Sequence, residues 1–349
     1  MSISWRLEAH RKISDGCVQH RRFVETVEYL FNHMTFAQPG EVIVLVGPSR
    51  VGKSRAAHLA ADRLIEGATP QDGVLPFIIV EAENSSRMGS FSSKAFMRSC
   101  LEAVGHPIYG ACQQDEDSRS RLDTRINRTP EGVLREALEH ALRIRQTRYL
   151  IIDEAHHVGY SGRSSYAGQA ILDSWKCMAN KTGVVLVLVG GYRLLDLIGL
   201  ASHLVGRLRP IHFSRYQSNH AGDVAAFEQI LHTWGQHLRF GSDDSLRRVN
   251  SYLFKHSYGC IGHLSKWLRT ALSFCETRDL DAFGLEVLAE TRHPAQFERT
   301  ILDDIAIGER FFEVGAAVAR ELPGPTEAGR KSGKPFKRKP QRYERGGRA

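Results

Sequence analysis

Residues 47–54 have the types and spacing of a phosphate-binding loop. They follow the pattern G-x-x-x-x-G-K-S, in which backbone N–H groups surround an anion, the lysine reaches the β and γ phosphates, and the serine hydroxyl holds Mg²⁺. An apolar run precedes the loop as a buried strand would, and a helical pattern follows it, so we prefer this interpretation to a turn that binds nothing. We predict an ATP and Mg²⁺ site formed by Gly47, Pro48, Ser49, Arg50, Val51, Gly52, Lys53 and Ser54.

An acidic pair, Asp153-Glu154, ends a second apolar run. Asp153 could hold Mg²⁺ directly or through water, and Glu154 could polarise the water that attacks the γ phosphate. Two acids in such a place can also be a solvated turn. Because a phosphate-binding loop lies upstream, we predict that Ser54 and Asp153 are the metal ligands and that Glu154 is catalytic.

His156 and His157 follow this acidic pair and invite a second metal-site interpretation. The sequence shows no further ligand at a metal-binding spacing. We therefore expect both histidines to be polar residues beside the nucleotide.

The net charge of +8 is concentrated at one end of the 349-residue chain. Residues 323–349 contain nine Lys and Arg against two acids. This stretch is expected to be disordered, either as a solubilising tail or as a tail that holds a polyanion or a protein. No apolar run approaches the ~20 residues of a membrane span. No signal-peptide core starts the chain, and the six cysteines are scattered, so we expect a cytoplasmic protein with no membrane partner.

Apolar runs typical of buried strands alternate with helical patterns up to about residue 216, and only helical patterns follow. The alternation predicts an α/β fold with a parallel sheet of about five strands and helices on both faces. Ligands of such sheets bind beyond the carboxyl ends of the strands. Residues 110–129 are polar and lack periodicity, which predicts an exposed connection. The predicted division is a helical segment 1–40, a nucleotide-binding α/β domain 41–216, a helical lid 217–295, and a C-terminal helix with a basic tail 296–349.

The motifs GPSRVGKS, LIIDEAHH, LVLVGGYRLL, HLVGRLRPIHF and GCIGHLSKWL occur in an order that resembles AAA+ ATPases. Within that superfamily the chain is similar to the transposition regulators TnsC and TniB, from about His20 to Leu288. The assignment to TnsC and TniB within the superfamily rests on the DEAHH stretch, the glycine turn and the motif GCIGHLSKWL. Secretion ATPases resembling ExeA and replication-type ATPases share these features in part. The resemblance implies a P-loop AAA+ domain followed by a small all-helical lid.

The same resemblance implies an ATPase that assembles as a homo-oligomer, a ring or a helical filament, on double-stranded DNA. It would recruit or activate a transposase and act with target-selector proteins. Arg207 matches the position of the arginine finger that reaches the neighbouring subunit's γ phosphate, with Arg209 as the fallback. The alternative for Arg207 is an ordinary surface charge.

Two departures from the family pattern predict slow, switch-like hydrolysis. The position after the fourth strand is normally polar, but Gly190-Gly191 occupy it, with Tyr192 as the nearest polar side chain. The lid position that is often arginine has only His263 or Lys266 nearby.

Two loops, residues 84–94 and 158–168, match loops that face DNA in the family. Their basic residues are Arg87, Lys94 and Arg163, set among Ser and Gly that allow close approach to a phosphate backbone. The alternative is that both are surface loops without a ligand.

Two other functions stay open. The chain could be a AAA+ ATPase that acts on a protein or membrane assembly, of a secretion or signalling type. It could also be a nucleotide-binding scaffold with little hydrolysis, which Glu154 argues against and the missing polar sensor favours.

Overall fold

The computed structural model describes residues 4–15, 19–66, 72–84, 89–110, 116–161, 165–199, 208–241 and 246–321. Arg87, Arg163, Arg207 and the basic tail 323–349 lie outside these ranges. The roles assigned to them stay predictions. Residues Met1–Arg310 form one compact unit and Phe311–Ala349 a second, of which the structure describes residues 311–321.

A five-stranded parallel sheet forms the centre of the fold, and its strand order is β2-β3-β4-β1-β5. The strands are Val42–Val46 (β1), Phe77–Glu81 (β2), Tyr149–Asp153 (β3), Val185–Gly190 (β4) and Leu208–His212 (β5). Every residue of β1 and β4 is buried, as continuous apolar strands covered on both faces require. Helices lie on both faces, and a helical region follows. The predicted P-loop AAA+ fold class is therefore confirmed.

The helices connect the strands and then continue alone. They are Trp5–Asp15 (α1), Arg21–Thr35 (α2), Lys53–Ile65 (α3), Ser93–Ala103 (α4), Glu116–Arg128 (α5), Glu131–Ile144 (α6), Ser165–Thr182 (α7), Arg193–Gly199 (α8), Ala221–Gly235 (α9), Leu246–His256 (α10), Ile261–Thr277 (α11), Leu285–Glu290 (α12) and Ala295–Glu321 (α13), with a 3₁₀ helix at Ala155–Tyr160. No helix in the described ranges is both long and apolar enough to cross a membrane.

Helix α5 corrects the prediction that residues 110–129 form an exposed connection. Its sequence is almost wholly polar, with Leu122 and the buried Ile126 as its apolar residues, so its apolar stripe is only two residues long. Arg125 and Arg128 lie in its last turn, where positive charge is favourable beside the exposed carbonyl groups. A helix of this kind leaves little hydrophobic periodicity for sequence reasoning to detect.

Hydrophobic clusters on the sheet and in the helical region join elements of the described chain. One packs α2 and α3 against the sheet, with Leu30, Ala60 and Val187 fully buried. The other joins α9, α10, α11 and α12 and also takes in Ala9 and Ile13 of α1. The first helix of the chain is therefore part of the core of the helical region. The predicted four-part division stays a prediction.

A buried carboxylate connects α2 to α9. The side chain of Asp223 is fully buried and contacts Arg21 and Arg22, with Arg22 Nη2 donating to Oδ2 at 2.9 Å. The backbone N–H of Gln217 donates to the same oxygen at 3.0 Å. Burial alone would raise the pKa of Asp223, but these partners hold the pKa below its ordinary value.

Replacing Asp223 by Asn should lower the free energy of unfolding at pH 7 by about 2 kcal/mol, because a charge-assisted network loses its anion. The depressed pKa means that the carboxylate stabilises the fold above its ordinary pKa of 3.8 and stops doing so as the pH falls through the folded-state value. The difference between the two proteins in denaturant titrations should therefore shrink below about pH 4. Asp62→Asn, on the exposed side of α3, is the control and should be neutral. If Asp223→Asn and wild type have the same free energy of unfolding at pH 7, the interaction of Asp223 with the two arginines is screened by solvent.

Candidate nucleotide-binding site

The predicted phosphate-binding loop connects the end of β1 to the start of α3. Its backbone needs two left-handed residues, Arg50 at φ 58° and Gly52 at φ 109°. Gly47 lies against β5, and a Cβ there would come within 2.4 Å of the Phe213 carbonyl oxygen. The loop therefore curves tightly between the sheet and α3, with the N-terminus of a helix beside it, as a cradle for phosphate requires.

The Lys53 ammonium is held inside this loop. Its Nζ donates to the carbonyl oxygens of Pro48 at 2.8 Å and Gly47 at 3.1 Å. Burial lowers the pKa of Lys53, and the negative charges of Glu154 and Asp153 oppose that shift. The structure thus brings the lysine and the acidic pair into one electrostatic site, although they are separated by a hundred residues of sequence.

The acidic pair lies at the carboxyl edge of the sheet. Asp153 ends β3 opposite Glu81 of β2, and its Oδ1 accepts the backbone N–H of Glu154 at 2.8 Å. This leaves Oδ2 of Asp153 for a cation, and the Ser54 hydroxyl at the start of α3 is exposed. Hard oxygen donors of this type suit Mg²⁺. The residues present therefore fit the ATP and Mg²⁺ that the sequence predicts.

The carboxylates at this edge repel one another. Burial raises the pKa of Glu81, and the charges of Glu83, Asp153 and Glu154 raise it further. A bound cation would relieve this repulsion.

His156 contacts Glu154 and the end of β4 through one ring nitrogen. Nδ1 lies 3.2 Å from Glu154 Oε2 and 3.3 Å from the backbone nitrogen of Gly191. Burial, with the charges of His157 and Lys53, lowers the pKa of His156 to about 4, so the ring is neutral at pH 7. A neutral ring protonated on Nδ1 donates to Glu154, whereas one protonated on Nε2 accepts from Gly191. The position of one proton therefore decides whether Glu154 is restrained.

The glycines after β4 make room for this histidine. A Cβ on Gly190 would lie 3.3 Å from His156 Nδ1, tighter than most side-chain contacts. Tyr192, the nearest polar side chain, is buried, and its hydroxyl lies 2.8 Å from His212 Nε2. The imidazole of His156 thus lies where the sequence shows no polar sensor. The sequence predicted this histidine beside the nucleotide but not its contact with the two glycines.

The expectation that the two histidines lack a third metal ligand is wrong. Ligand atoms of Glu154, His156 and His157 all lie within 4.8 Å of one another. His157 Nδ1 is 2.9 Å from the carbonyl oxygen of Ala82, which favours an Nδ1–H donor and leaves Nε2 as the acceptor. Two imidazoles and a carboxylate have the donor types of a zinc site.

The helical region docks on the loop through the start of α11. The backbone N–H of Gly262 donates to the Arg50 carbonyl oxygen at 3.0 Å, and a Cβ on Gly262 would lie 2.2 Å from that oxygen. Of the two candidate lid sensors, His263 is buried with no hydrogen-bond partner among the described residues, and burial lowers its pKa to about 4. Lys266 is exposed on the next turn.

Helix α13 adds groups that the sequence did not predict. Asp304 lies close enough to Lys53 and Arg193 for their charges to lower its pKa, but burial outweighs them and raises it. Gly308 packs on the Tyr192 ring, where a Cβ would lie 2.0 Å from Cγ. Arg215 makes two hydrogen bonds with Glu309, at 2.8 and 3.0 Å. Nothing in the spacing of these residues indicates their proximity to the site.

The predicted DNA contacts are mostly outside the described ranges. Lys94 lies in the first turn of α4 instead of a loop, and its Nζ donates to the Asn127 carbonyl oxygen at 2.7 Å. Arg209 lies in β5, and its side chain is not described. Neither placement tests the predicted contact with DNA or with a neighbouring subunit.

Comparison with known proteins agrees with this geometry. Residues 37–198, a little under half of the chain, match a family model described as AAA domain. No curated protein matches the sequence.

Solved structures share the fold at low sequence identity. The ORC2 protein of Aeropyrum pernix, solved as ADPNP-ADP complexes, is 15% identical with a TM-score of 0.51, over 79% of this chain and 68% of that chain. The ORC1 protein of the same organism, solved in complex with DNA, is 19% identical with a TM-score of 0.55, over 79% of this chain and 65% of that chain. Residues 37–198 therefore match an AAA domain, and the chain has an AAA+ fold similar to that of archaeal ORC proteins. Its place beside TnsC and TniB stays a prediction.

Replacing His156 by Ala should remove its 3.2 Å contact with Glu154 and raise the turnover number for ATP hydrolysis by about fivefold, the equivalent of a polar contact of about 1 kcal/mol. The affinity for ATP should not change. Steady-state phosphate release and nucleotide titration measure the two quantities, with His33→Ala on the exposed end of α2 as the control. Slower turnover at unchanged affinity would mean that His156 holds Glu154 in its productive position.

Replacing Gly262 by Ala should push the start of α11 away from the loop and weaken ATP binding by about tenfold, because overpacking of such a contact costs roughly 1–3 kcal/mol. The control is Gly132→Ala in α6, where a Cβ meets nothing within 4 Å. Titration with a fluorescent ATP analogue measures both variants. Wild-type affinity in Gly262→Ala would show that docking of α11 does not contribute to the nucleotide site.

Proposed function

We propose that the chain is an ATP-dependent, DNA-binding regulator of transposition that oligomerises on target DNA and recruits or activates a transposase. The observation that carries the ATP-dependent part is the convergence of Lys53, Asp153 and Glu154 at one carboxyl edge, with α11 docked on the loop. A site in which a second structural region contacts the phosphate loop is suited to convert nucleotide binding into a change of shape.

Residues of this chain have distinct roles in hydrolysis. Lys53 and the backbone of residues 47–54 neutralise and orient phosphates. Ser54 and Asp153 hold Mg²⁺, which when bound offsets the charge of the phosphates. Glu154 accepts a proton from the attacking water, and His156 controls its availability. Restraint of Glu154 supports a slow, switch-like ATPase.

The proposal that the chain oligomerises rests on the arginine finger. An arginine that completes a neighbour's site acts only when two copies meet, so Arg207 would make hydrolysis depend on assembly. We propose a ring or a helical filament of identical subunits. The transposase and target-selector partners rest on the resemblance to TnsC and TniB.

DNA as the partner has independent support. The structural neighbour ORC1 of Aeropyrum pernix was solved in complex with DNA. The chain itself carries its net charge of +8 largely in the tail 323–349, which would attract phosphate backbones. Arg87, Lys94 and Arg163 remain the proposed contacts within the body.

A second candidate is a nucleotide-binding scaffold with little hydrolysis. The contact between Glu154 and His156 favours it, as does the lack of a side chain at Gly190 and Gly191. In that case ATP would act as a structural ligand, and turnover would be irrelevant to assembly.

The first proposal predicts that double-stranded DNA binds with ATP but weakly with ADP or without nucleotide, and that assemblies grow with DNA length. Glu154→Gln should bind ATP and stay assembled on DNA at least tenfold longer, because hydrolysis no longer ends the ATP state. Lys53→Ala should abolish the ATP dependence. Filter binding and electron microscopy of the complexes measure both effects.

Three results would contradict it. DNA binding that does not depend on nucleotide would assign the binding to the basic tail alone. If the lifetime of the assembly on DNA is the same for Glu154→Gln and wild type, the result supports the nucleotide-binding scaffold. No DNA binding in any state favours an ATPase that acts on a protein assembly.

A further inference from the structure

An open groove of about 670 Å³ runs along the outer face of α11, between α1 and the end of α12. We call it the lid groove. Its polar lining consists chiefly of Lys266, Arg269, Thr270, Ser273, Thr277 and Arg278. These positions recur three or four apart, so they form one continuous stripe on the helix, about 18 Å long at 1.5 Å per residue.

The groove is positively charged and incompletely paired. None of the described residues that line it is acidic. Arg278 lies 3.6 Å from Glu290 in an exposed pair, which is worth little in water. Glu276, the acid nearest in sequence on α11, faces Arg6 of α1 instead. Lys266 and Arg269 therefore have no carboxylate partner in the described structure.

The core beneath holds these cations in place. Leu264, Leu268 and Leu272 on the opposite face of α11 are buried in the helical core, which makes the stripe rigid. Arg269 donates weakly to Ser14 of α1, at 3.4 Å, while its Nε is buried without a partner. A guanidinium that is partly desolvated and unpaired gains most from an incoming anion.

From this geometry we infer that the lid groove binds the phosphate backbone of double-stranded DNA. Cations and hydroxyls at helical spacing suit a regular row of phosphates, which a DNA strand presents once per 3.4 Å of duplex axis. An acidic peptide fits less well, since a peptide site needs apolar anchors. Phe274, the one hydrophobic side chain among the described residues of the lining, is half-buried with the Arg278 guanidinium 5.0 Å above it.

This inference rests on the proposed DNA partner and adds a contact outside the two loops and the tail. Its consequence is mechanical. The same helix that bears the groove begins at Gly262 on the phosphate loop, so the nucleotide and the DNA contact would be joined by one rigid element.

The test is the salt dependence of DNA binding by the full chain with ATP. The variant Lys266→Gln/Arg269→Gln/Arg278→Gln should reduce the slope of log K against log salt by about 2 to 3, because each lost phosphate contact removes about 0.9. Affinity at low salt should fall at least tenfold. The matched control, Arg143→Gln/Arg145→Gln/Arg148→Gln, removes the same charge from residues that bond carbonyl oxygens at the amino end of β3, and should keep the wild-type slope.

Two further measurements make the result decisive. The ATP affinity of both variants should match wild type, and thermal unfolding should show that both remain folded. If the glutamine triple variant misfolds, the single variant Lys266→Gln at an exposed position replaces it and should reduce the slope by about 0.9, whereas a wild-type slope there would overturn the inference.

Each outcome separates the inference from the function it rests on. If the glutamine variant still binds DNA with the wild-type salt dependence, the inference about the lid groove is overturned and the proposed DNA partner is not. Polyglutamate serves as a second probe, an acidic polypeptide. If wild type binds polyglutamate, the glutamine variant does not, and DNA binding of that variant is unchanged, the lid groove is a site for an acidic protein and the inference is also overturned. Failure of the wild-type chain to bind DNA overturns both proposals.

Discussion

The nucleotide site depends on the close approach of backbone to backbone around residues 47–54. Gly47 leaves room for the Phe213 carbonyl group after β5, and Gly262 leaves room for the Arg50 carbonyl group. A methyl group at either place would collide with an oxygen atom that cannot rotate away. The segment after β5 and the start of α11 therefore both pack directly against the loop.

Charge balance is the second constraint. The carboxylates at the ends of β2 and β3 repel one another, and Lys53 is the cation that the described structure places among them. His156 adds no charge at neutral pH because burial lowers its pKa to about 4. Its Nδ1 accepts a hydrogen bond from the Gly191 N–H and lies 3.2 Å from Glu154 Oε2. The neutral ring can therefore contact Glu154 without neutralising its charge.

Helix α11 joins two regions that are chemically distinct. Its first turn contacts the phosphate loop, its inner face fills the helical core, and its outer face bears the cations of the lid groove. A helix packed along its whole inner face moves as a unit. The polar stripe on α11 looks from sequence like an ordinary solvated face, and its place beside α1 is what turns that stripe into a groove.

The sequence alone determined the α/β class, the P-loop and the acidic pair, because continuous apolar runs and short spacings such as G-x-x-x-x-G-K-S depend on local chemistry. It failed for α5, whose almost wholly polar sequence carries little periodicity. Only the tertiary structure decided that His156 contacts Glu154, that Asp304 lies near Lys53, that Gly262 touches the loop, and that α1 belongs to the helical core. These contacts join residues distant in sequence or depend on side-chain direction, and packing of the whole chain sets both.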